Sequence, residues 1–424
     1  MFLVGAADTA DAAGTAGVNG PVAAAPQPTE ALKSPQGLTA AGGYQCPRHL
    51  RALPTKSSLA PEESAVGSPA VTVRSLATMS SHASNPVMYA QQLDAPAPIE
   101  QAPLRWRQAP TPQPGPGQLL IKVAACGVCR SNLHMIEGDW VGNGVPALSP
   151  IVPGHEVTGY VAELGTGVEG FRLGDRVGVQ PLWSTCEECE FCTTGREQLC
   201  HERRITGEHV DGGYGELMVA TARHTYHLPD TLDIVEAAPL FCPGITAFGA
   251  VDKLDLGPGD RVAVFGPGGV GHMAVQFAVL TGAEVTVVGR SPEHLAVARE
   301  LGATHTVEAT DPQALAQVED TADAVLLFAP AEAVTAQALR TLKWGGTLVS
   351  AVPLTLRGYP FDRAQTLRTS LLGNRAQMEN VLSLAAQGKV RTVVERFAMS
   401  QAPRALELLK AGQLRSRAVL EAAG

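Results

Sequence analysis

Apolar and polar residues alternate along the chain with two different periods, and these periods predict where strands and helices lie. From about residue 260 onward, short apolar runs are typical of buried strands: RVAVFG, EVTVVG, DAVLLFA and GGTLVSAV. The stretches between them have helical spacing, as in GHMAVQFAVLTG and PEHLAVARELG. Strands that alternate with helices indicate parallel βαβ units, and therefore an α/β sheet in this part of the chain.

The pattern between Met88 and about residue 260 is different. Its strand-like runs are short and are bounded by Gly, Pro and Asp, as in QLLIKVAACG, EVTGYVAELG and DRVGVQPL. This punctuation predicts a β-rich domain built from short strands. Near the C-terminus the pattern predicts two helices, within NRAQMENVLSLAAQG and QAPRALELLKAG, and a final strand, RAVLE.

Residues 1–87 have no sustained periodicity and are rich in Ala, Gly, Pro, Ser and Thr. Too few apolar side chains are present to offset the entropy of ordering, so we expect a disordered extension. Met79 and Met88 are plausible alternative starts. The extension has no basic segment followed by an apolar one, and it holds as many acidic as basic residues. Neither a secretory nor an organelle-targeting signal is therefore expected, and the sequence favours a cytoplasmic protein.

Composition narrows the possible partners. The 32 Lys and Arg residues are outnumbered by 41 Asp and Glu residues, for a net charge of −9, and no basic run is present. A nucleic-acid-binding protein is therefore not expected. Residues 262–283 carry no charged side chain and have about the length of a membrane span. The GPGG sequence inside this segment breaks it into strand, loop and helix, so no membrane segment is predicted.

Four cysteines lie close together in CEECEFCTTGREQLC, with the spacing C-x₂-C-x₂-C-x₇-C: Cys186, Cys189, Cys192 and Cys200. Four thiolates on one loop can surround a soft or borderline ion, and Zn²⁺ is the usual one. Such a closed shell leaves no open position, which indicates a structural zinc site. Disulfides and an iron–sulfur cluster are the alternatives. Disulfides need an oxidising compartment, for which the sequence gives no signal, and no other redox motif accompanies a cluster.

A second set of metal-ligand side chains is dispersed: Cys129 in GVCRSNLH, His155 and Glu156 in PGHE, and Cys242 in LFCPGITAF. Two thiolates and one imidazole form the ligand set of an open, catalytic zinc site. Dispersed residues are weak support by themselves, because a single buried cysteine is more often a small apolar residue. Cys46 and Cys126 keep that simpler interpretation.

A glycine-rich loop follows the strand-like RVAVF and opens a helix-like run. Gly266, Gly268 and Gly271 stand as G-x-G-x-x-G, with Gly269 and Val270 inside the motif. In a dinucleotide-binding loop the first glycine permits a tight turn, the second lets the backbone approach a pyrophosphate, and the third allows close packing. The helix that follows would direct its N-terminus at the phosphates. The context therefore predicts a dinucleotide site.

The end of the next strand, EVTVV, bears on which nicotinamide cofactor is bound. An acidic residue at this position would accept hydrogen bonds from the ribose and repel a 2′-phosphate. Here the strand is followed by Gly289, Arg290 and Ser291. A cation and a small hydroxyl suit a 2′-phosphate, so NADP is favoured over NAD. The alternative is that Arg290 is an ordinary solvent-facing side chain.

From about Met88 to Gly424 the chain resembles the zinc-dependent alcohol dehydrogenases of the medium-chain dehydrogenase/reductase superfamily. The matching stretches are GVCRSNLHMIEGDW, PGHEVTGYV, FRLGDRVGV, the four-cysteine loop, LFCPGITAF and GPGGVGHMAVQFA. The resemblance implies an α/β fold in which a Rossmann doubly wound parallel sheet is inserted into a GroES-like β-rich catalytic domain. The expected bounds are 88–240 for the catalytic domain, 241–374 for the Rossmann domain and 375–424 for the returning segment.

The resemblance also implies roles for individual residues. Cys129, His155 and Cys242 match the ligands of a catalytic zinc, and Glu156 matches the carboxylate beside it. Ser131 matches a hydroxyl that contacts the substrate oxygen, and His134 matches a histidine that ends a proton relay. Arg130 and Arg417 match arginines that contact cofactor phosphates. Trp140 matches a residue that lines the substrate pocket. Without the resemblance, Ser131 would be interpreted as a helix cap and His134 as a surface histidine.

One position departs from the family pattern, because the chain has Asn132 where the family commonly has Asp. An amide can hydrogen-bond to the metal-binding histidine but supplies no charge. Loss of such an outer partner typically costs 10–100-fold in metal affinity or activity. We therefore expect a less tightly held or less electrophilic zinc, with the reaction class unchanged.

The expected function is transfer of a hydride between NAD(P)(H) and a small primary or secondary alcohol or its carbonyl product, with two zinc ions per chain. The family resemblance implies a homodimer or homotetramer. Two alternatives stay open: a quinone or enone reductase that uses NADPH without catalytic zinc, and an inert relative that binds zinc and cofactor.

Overall fold

The computed structural model describes residues 86–359 and 361–422. The predicted extension over residues 1–87 lies, apart from its last two residues, outside the described residues. The described chain forms 17 strands: β1 (Val87–Leu93), β2 (Leu104–Pro110), β3 (Gln118–Gly127), β4 (Val157–Leu164), β5 (Arg176–Val179), β6 (Leu182–Ser184), β7 (Arg204–Ile205), β8 (Leu217–Thr221), β9 (Thr225–His227), β10 (Arg261–Phe265), β11 (Glu284–Gly289), β12 (His305–Glu308), β13 (Ala322–Leu327), β14 (Leu342–Ser350), β15 (Thr366–Thr369), β16 (Val394–Ala398) and β17 (Arg417–Glu421).

Nine α-helices accompany these strands within the described ranges: α1 (Arg130–Glu137), α2 (Glu190–Thr193), α3 (Pro243–Val251), α4 (Gly271–Leu280), α5 (Pro292–Glu300), α6 (Pro312–Ala316), α7 (Glu332–Thr341), α8 (Arg375–Ala386) and α9 (Ala402–Ala411). None of the helices in residues 86–359 and 361–422 has both the length and the apolar character needed to cross a bilayer.

A six-stranded, fully parallel sheet forms the α/β part, in the order β12-β11-β10-β13-β14-β15. With β10 as its first strand, this is the 3-2-1-4-5-6 order of a doubly wound dinucleotide-binding sheet. The apolar runs predicted as strands are strands, and their lack of polar alternation follows from helices covering both faces. The chain reverses direction across the sheet between β10 and β13, so a crevice opens at their carboxyl ends.

The β-rich part is a second sheet in the order β16-β17-β3-β4-β5-β9, with β8 also paired to β3. Strands β16 and β17 come from the C-terminal end of the chain, yet β17 pairs antiparallel with β3. The chain therefore leaves this sheet, builds the parallel sheet and returns, which confirms the predicted inserted Rossmann architecture.

The two sheets have separate apolar cores. The core of the parallel sheet continues through α3 and α4, where Phe248 and Phe277 pack edge to face at 5.3 Å. The other core lies within the β-rich sheet and includes Leu133, Met135 and Ile136 of α1. Burial of these α1 side chains leaves Arg130 exposed and Ser131 and His134 partly exposed on the rest of the helix.

Candidate active site

Antiparallel pairing of β3 with β4 brings the first dispersed ligands together. Cys126 pairs with Val157, and the backbone N–H of Gly127 donates to the Glu156 carbonyl at 2.9 Å. Cys129 follows the end of β3 and begins α1, whereas His155 and Glu156 immediately precede β4. Residues that lie far apart in sequence therefore occupy one end of the sheet.

Cys242 completes this cluster from the start of α3, where its carbonyl accepts a hydrogen bond from the Thr246 N–H at 2.9 Å. Its Sγ lies 3.8 Å from Cys129 Sγ. One donor atom from each of Cys129, His155, Glu156 and Cys242 lies within 4.8 Å of the other three, and all four side chains are buried.

The chemistry of the cluster fits a soft divalent cation. The hydrogen bond between the two sulfurs lowers the pKa of Cys129 well below its usual range and, with burial, raises the pKa of Cys242 well above its own. His155 Nε2 is buried and has no hydrogen-bond partner among the described residues. Two adjacent buried sulfurs and an unpartnered imidazole nitrogen form a donor set suited to Zn²⁺.

Three further polar residues surround the cluster. Ser131 Oγ lies 3.3 Å from Cys129 Sγ. Asn132 is fully buried, with its Nδ2 3.4 Å from His155 Nδ1 and its Oδ1 accepting from the Tyr214 hydroxyl at 3.4 Å. Glu208 Oε1 lies 3.8 Å from the same His155 nitrogen, and burial raises the pKa of Glu208 to about 7.

Glu156 also faces a buried cation. The guanidinium of Arg417, from β17, donates two hydrogen bonds to the Glu156 carboxylate, one of them from Nε at 3.2 Å. The Arg417 side chain is 4% exposed and the Glu156 side chain is 0% exposed. Arg417 thus contacts the ligand cluster on one side, while its other side faces the glycine-rich loop.

The glycine-rich loop has the geometry that its motif predicts. Gly266 has φ +86°, and a Cβ on Gly271 would lie 2.2 Å from the Gly266 carbonyl oxygen, so both positions require glycine. At Gly268 no described atom lies within 4 Å of the Cβ position, which leaves that side open to a ligand. A Cβ on Gly269 would lie 2.5 Å from Arg417 Nη1, and Val270 immediately precedes α4.

The end of β11 lies beside this loop. A Cβ on Gly289 would be 2.7 Å from Pro267 Cγ, so the absence of a side chain allows close packing. Arg290 is exposed. The Ser291 hydroxyl accepts from the His294 N–H, capping α5, and donates to Glu293 Oε2 at 2.7 Å. The predicted pair of Arg290 and Ser291 is therefore joined in the structure by the carboxylate of Glu293.

Helix α1 carries the other predicted residues. Cys129, not Ser131, occupies its N-cap position, so the helix-cap interpretation of Ser131 is not supported. His134 Nδ1 lies 2.6 Å from Asp139 Oδ2, and the His134 ring packs at 5.7 Å from that of Trp140. Arg130 Nη2 donates to the Leu409 carbonyl at 3.0 Å, at the C-terminal end of α9, where a cation is favourable.

The four-cysteine loop forms a second cluster, in which each Sγ lies within 4.8 Å of the other three. The pairs Cys186–Cys200, Cys189–Cys192 and Cys186–Cys192 are separated by 3.5, 3.6 and 3.8 Å. A disulfide would need about 2.05 Å, whereas sulfurs about 2.3 Å from a tetrahedral Zn²⁺ lie roughly 3.8 Å apart. Backbone N–H groups of Cys189 and Glu188 lower the pKa of Cys186 to about 7, which favours the thiolate.

This loop also contacts the rest of the fold. The buried Glu197 accepts from the backbone N–H of Arg375 at 2.7 Å, and Asn374 Nδ2 donates to the Gly195 carbonyl at 2.7 Å. The start of α8 is therefore attached to the loop. Folding of the loop supports the position at which the chain returns from the parallel sheet.

The structure adds Glu208 and Asp139 to the predicted residues. Glu208 lies in a Gly-rich turn far from PGHE in sequence, so no local pattern could connect it with His155. Asp139 lies five residues after His134, in EGDW, and its spacing alone does not distinguish it from a surface carboxylate.

Known protein families and a known relative are similar to this chain over long stretches. Two family models match: the alcohol dehydrogenase GroES-like domain over residues 115–230 and the zinc-binding dehydrogenase over residues 269–387. An alcohol dehydrogenase from Geobacillus stearothermophilus is 36% identical over 327 residues, which are 75% of this chain and 95% of that protein.

Two solved structures have a fold similar to that of this chain. The alcohol dehydrogenase of the hyperthermophilic archaeon Aeropyrum pernix has 32% identity and a TM-score of 0.73, covering 78% of this chain and 99% of its own. The acetophenone reductase of Geotrichum candidum, solved in complex with NAD, has 27% identity and a TM-score of 0.71, covering 79% of this chain and 97% of its own.

Proposed function

Because the chain belongs to the zinc-dependent alcohol dehydrogenases of the medium-chain dehydrogenase/reductase superfamily, and is thus an oxidoreductase that acts on alcohols, we propose how its own residues perform the reaction. The reaction exchanges a hydride between a small alcohol, or its carbonyl product, and a nicotinamide dinucleotide. The observation that carries the proposal is the convergence of Cys129, His155 and Cys242 around one buried point.

We propose two zinc ions per chain. Cys129, His155 and Cys242 would hold the catalytic ion, with Glu156 beside it, and the four-cysteine loop would hold the structural ion. When bound there, a zinc ion would supply Lewis-acid chemistry toward an alcohol or carbonyl oxygen, and a nicotinamide would supply or take up the hydride. Cys129 and Cys242 are buried, at 7% and 6% exposure, so little of either residue is open to bulk water.

Two residues of α1, Ser131 and His134, transfer the proton of the substrate hydroxyl to solvent. Ser131 and His134 are three residues apart, so they share a helix face. Ser131 lies next to Cys129, where a substrate oxygen would bind, whereas the His134 side chain is 39% exposed and reaches solvent. Ser131 passes the substrate proton toward His134, which exchanges it with water. Asp139 holds the His134 ring in place through Nδ1, leaving Nε2 to accept the proton.

The glycine-rich loop and α4 bind the cofactor pyrophosphate, because Gly268 leaves room for it and the helix N-terminus favours its charge. Arg417, which lies against Gly269, contributes positive charge there. Arg130 is a further phosphate contact if it leaves the Leu409 carbonyl. We propose that Gly289, Arg290 and Ser291 favour NADP over NAD, although Glu293 opposes this preference through its own charge.

Trp140 packs against His134 and against the core beside α1, which supports a role in lining the substrate pocket. The substrate is a small alcohol or aldehyde. We propose a cytoplasmic location, which agrees with the absence of disulfides among the described cysteines. Exposed Trp344 and Phe361 near the edge strand β15 support a homodimer or homotetramer.

We also propose the domain bounds given above, 88–240, 241–374 and 375–424. A direct test of the function measures a panel of small alcohols and aldehydes with NADP(H) and NAD(H), together with zinc content. Two zinc ions and turnover with NADP(H) are expected. One zinc ion with reduction of quinones or enones would favour the zinc-independent reductase, and one zinc ion without turnover would favour an inert relative.

A further inference from the structure

Two side chains lie against the Nδ1 atom of His155. Asn132 Nδ2 is at 3.4 Å and Glu208 Oε1 is at 3.8 Å. The other ring nitrogen, Nε2, has no partner among the described residues and is the atom left to bind a metal. The neighbour that matters is therefore the one that favours the imidazole tautomer able to bind a metal through Nε2.

A neutral imidazole that binds a metal through Nε2 must carry its proton on Nδ1. That proton needs an acceptor, and the amide NH₂ of Asn132 is only a donor. Turning the Asn132 amide over would present its oxygen to His155, but would also replace the oxygen that accepts from the Tyr214 hydroxyl. The Glu208 carboxylate is the remaining acceptor group beside Nδ1. At 3.8 Å it is an ion-pair neighbour rather than a hydrogen-bond partner, and a shift of less than about 1 Å would let it accept the proton while leaving the Asn132–Tyr214 contact in place.

The backbone holds Glu208 at this position. A Cβ on Gly207 would lie 2.6 Å from the backbone nitrogen of Gly154, so the turn before Glu208 packs directly on the residue before His155. The Glu208 carbonyl accepts from the Ala147 N–H at 2.9 Å. These two contacts fix the backbone immediately before and after the Glu208 side chain.

The surroundings of Glu208 also point to the metal site. Glu208 is 8% exposed, and His155 is its only ion-pair partner among the described residues. A buried carboxylate without a cation is costly. A positive ion among Cys129, His155 and Cys242 would supply the missing charge through the imidazole.

We infer that Glu208 is a positioning residue that orients His155 for metal binding and supplies the carboxylate that Asn132 lacks. This inference rests on the proposed function, because it assumes a metal at the dispersed cluster. Metal-binding histidines generally donate their second N–H to a carboxylate, a carbonyl or water, and loss of that partner typically costs 10–100-fold in affinity or activity.

The test measures how tightly each zinc ion is held, by competition of the full-length protein with a colorimetric zinc chelator. We expect Glu208→Gln to weaken one of the two zinc ions about 10–100-fold and to leave the other unchanged. Glu202→Gln, on the exposed part of the same segment, is the matched control and should behave like wild type. The double variant N132D/E208Q restores a carboxylate on the other side of Nδ1 and should recover most of the lost affinity.

The outcomes are distinguishable. If wild type holds only one zinc ion, the proposed function fails and the inference fails with it. If wild type holds two and E208Q binds both as tightly, or if E208Q changes only the KM for substrate, the inference alone is wrong. Because E208Q could fail to fold, Glu208→Asp is measured as well. It keeps the charge and should bind zinc more tightly than E208Q, and equal weakening in a folded E208D would overturn the inference.

Discussion

Arg417 and Glu156 form a buried ion pair between residues that lie 261 positions apart in the chain. The pair joins the last strand to the start of β4, next to both the cysteine–histidine cluster and the glycine-rich loop. A charge at the proposed metal site and a charge at the proposed phosphate site are therefore in direct contact.

This pair predicts strong energetic coupling. Arg417→Met alone should lower the free energy of unfolding by about 3–5 kcal/mol, because it leaves the Glu156 carboxylate buried and unpaired. The double variant E156Q/R417M should be less destabilised than the sum of the two single variants. Urea denaturation of the four proteins in this cycle measures the coupling, and additive effects would show that the two side chains act independently.

We expect Arg290 to contribute to the preference for NADP over NAD. Arg290→Ala should raise the KM for NADP about 10-fold while changing that for NAD little, because a hydrogen bond to a charged group is worth about 1.5–3 kcal/mol. Steady-state kinetics with both cofactors provide the measurement, and Arg299→Ala, exposed on α5, is the control. Equal changes for the two cofactors would remove the proposed preference for NADP.

The four-cysteine loop predicts an effect on stability rather than on chemistry. Cys189→Ser should lower the melting temperature, since the loss of one ligand weakens the structural ion and the loop that contacts α8 through Glu197. Glu188→Gln, exposed in the same loop, should leave the melting temperature near that of wild type. A C189S protein as stable as wild type would contradict the structural role.

We expect the buried His272 to make the stability of the folded protein sensitive to acid. Complete burial lowers the pKa of His272 to about 4, so the folded protein keeps the ring neutral, whereas the unfolded chain takes up a proton near pH 6.5. Stability from this group is full above pH 6.5 and is lost as the pH falls toward 4, by roughly 3 kcal/mol in total. His272→Gln should flatten this part of the stability profile in urea denaturation. An unchanged slope, as expected for the exposed control His201→Gln, would be the contrary result.

Local sequence was sufficient for the parts of the site that lie within one segment. The glycine-rich loop and the four-cysteine loop each bring their residues together over a short stretch, and in the structure the four sulfurs are neighbours and the glycines form a tight turn before α4. The strands and the terminal helices were predictable for the same reason, because their periodicity is local.

Long-range contacts were not predictable in the same way. The position of Glu208 beside His155 depends on two turns packing through Gly207 and Gly154, and neither turn has a distinctive pattern. Convergence of Cys129, His155 and Cys242 was inferred from family resemblance rather than from spacing. The structure supplies its physical cause, which is the antiparallel pairing of β3 with β4 and the start of α3 beside it.

The central claim is that Cys129, His155 and Cys242 hold one metal ion that the reaction requires. Elemental analysis combined with an alcohol-oxidation assay tests it on wild type and on C242A, with Cys126→Ala as a buried cysteine outside both clusters. We expect two zinc ions for wild type and C126A, and one zinc ion without turnover for a folded C242A. A folded C242A that keeps two zinc ions and full activity would contradict it.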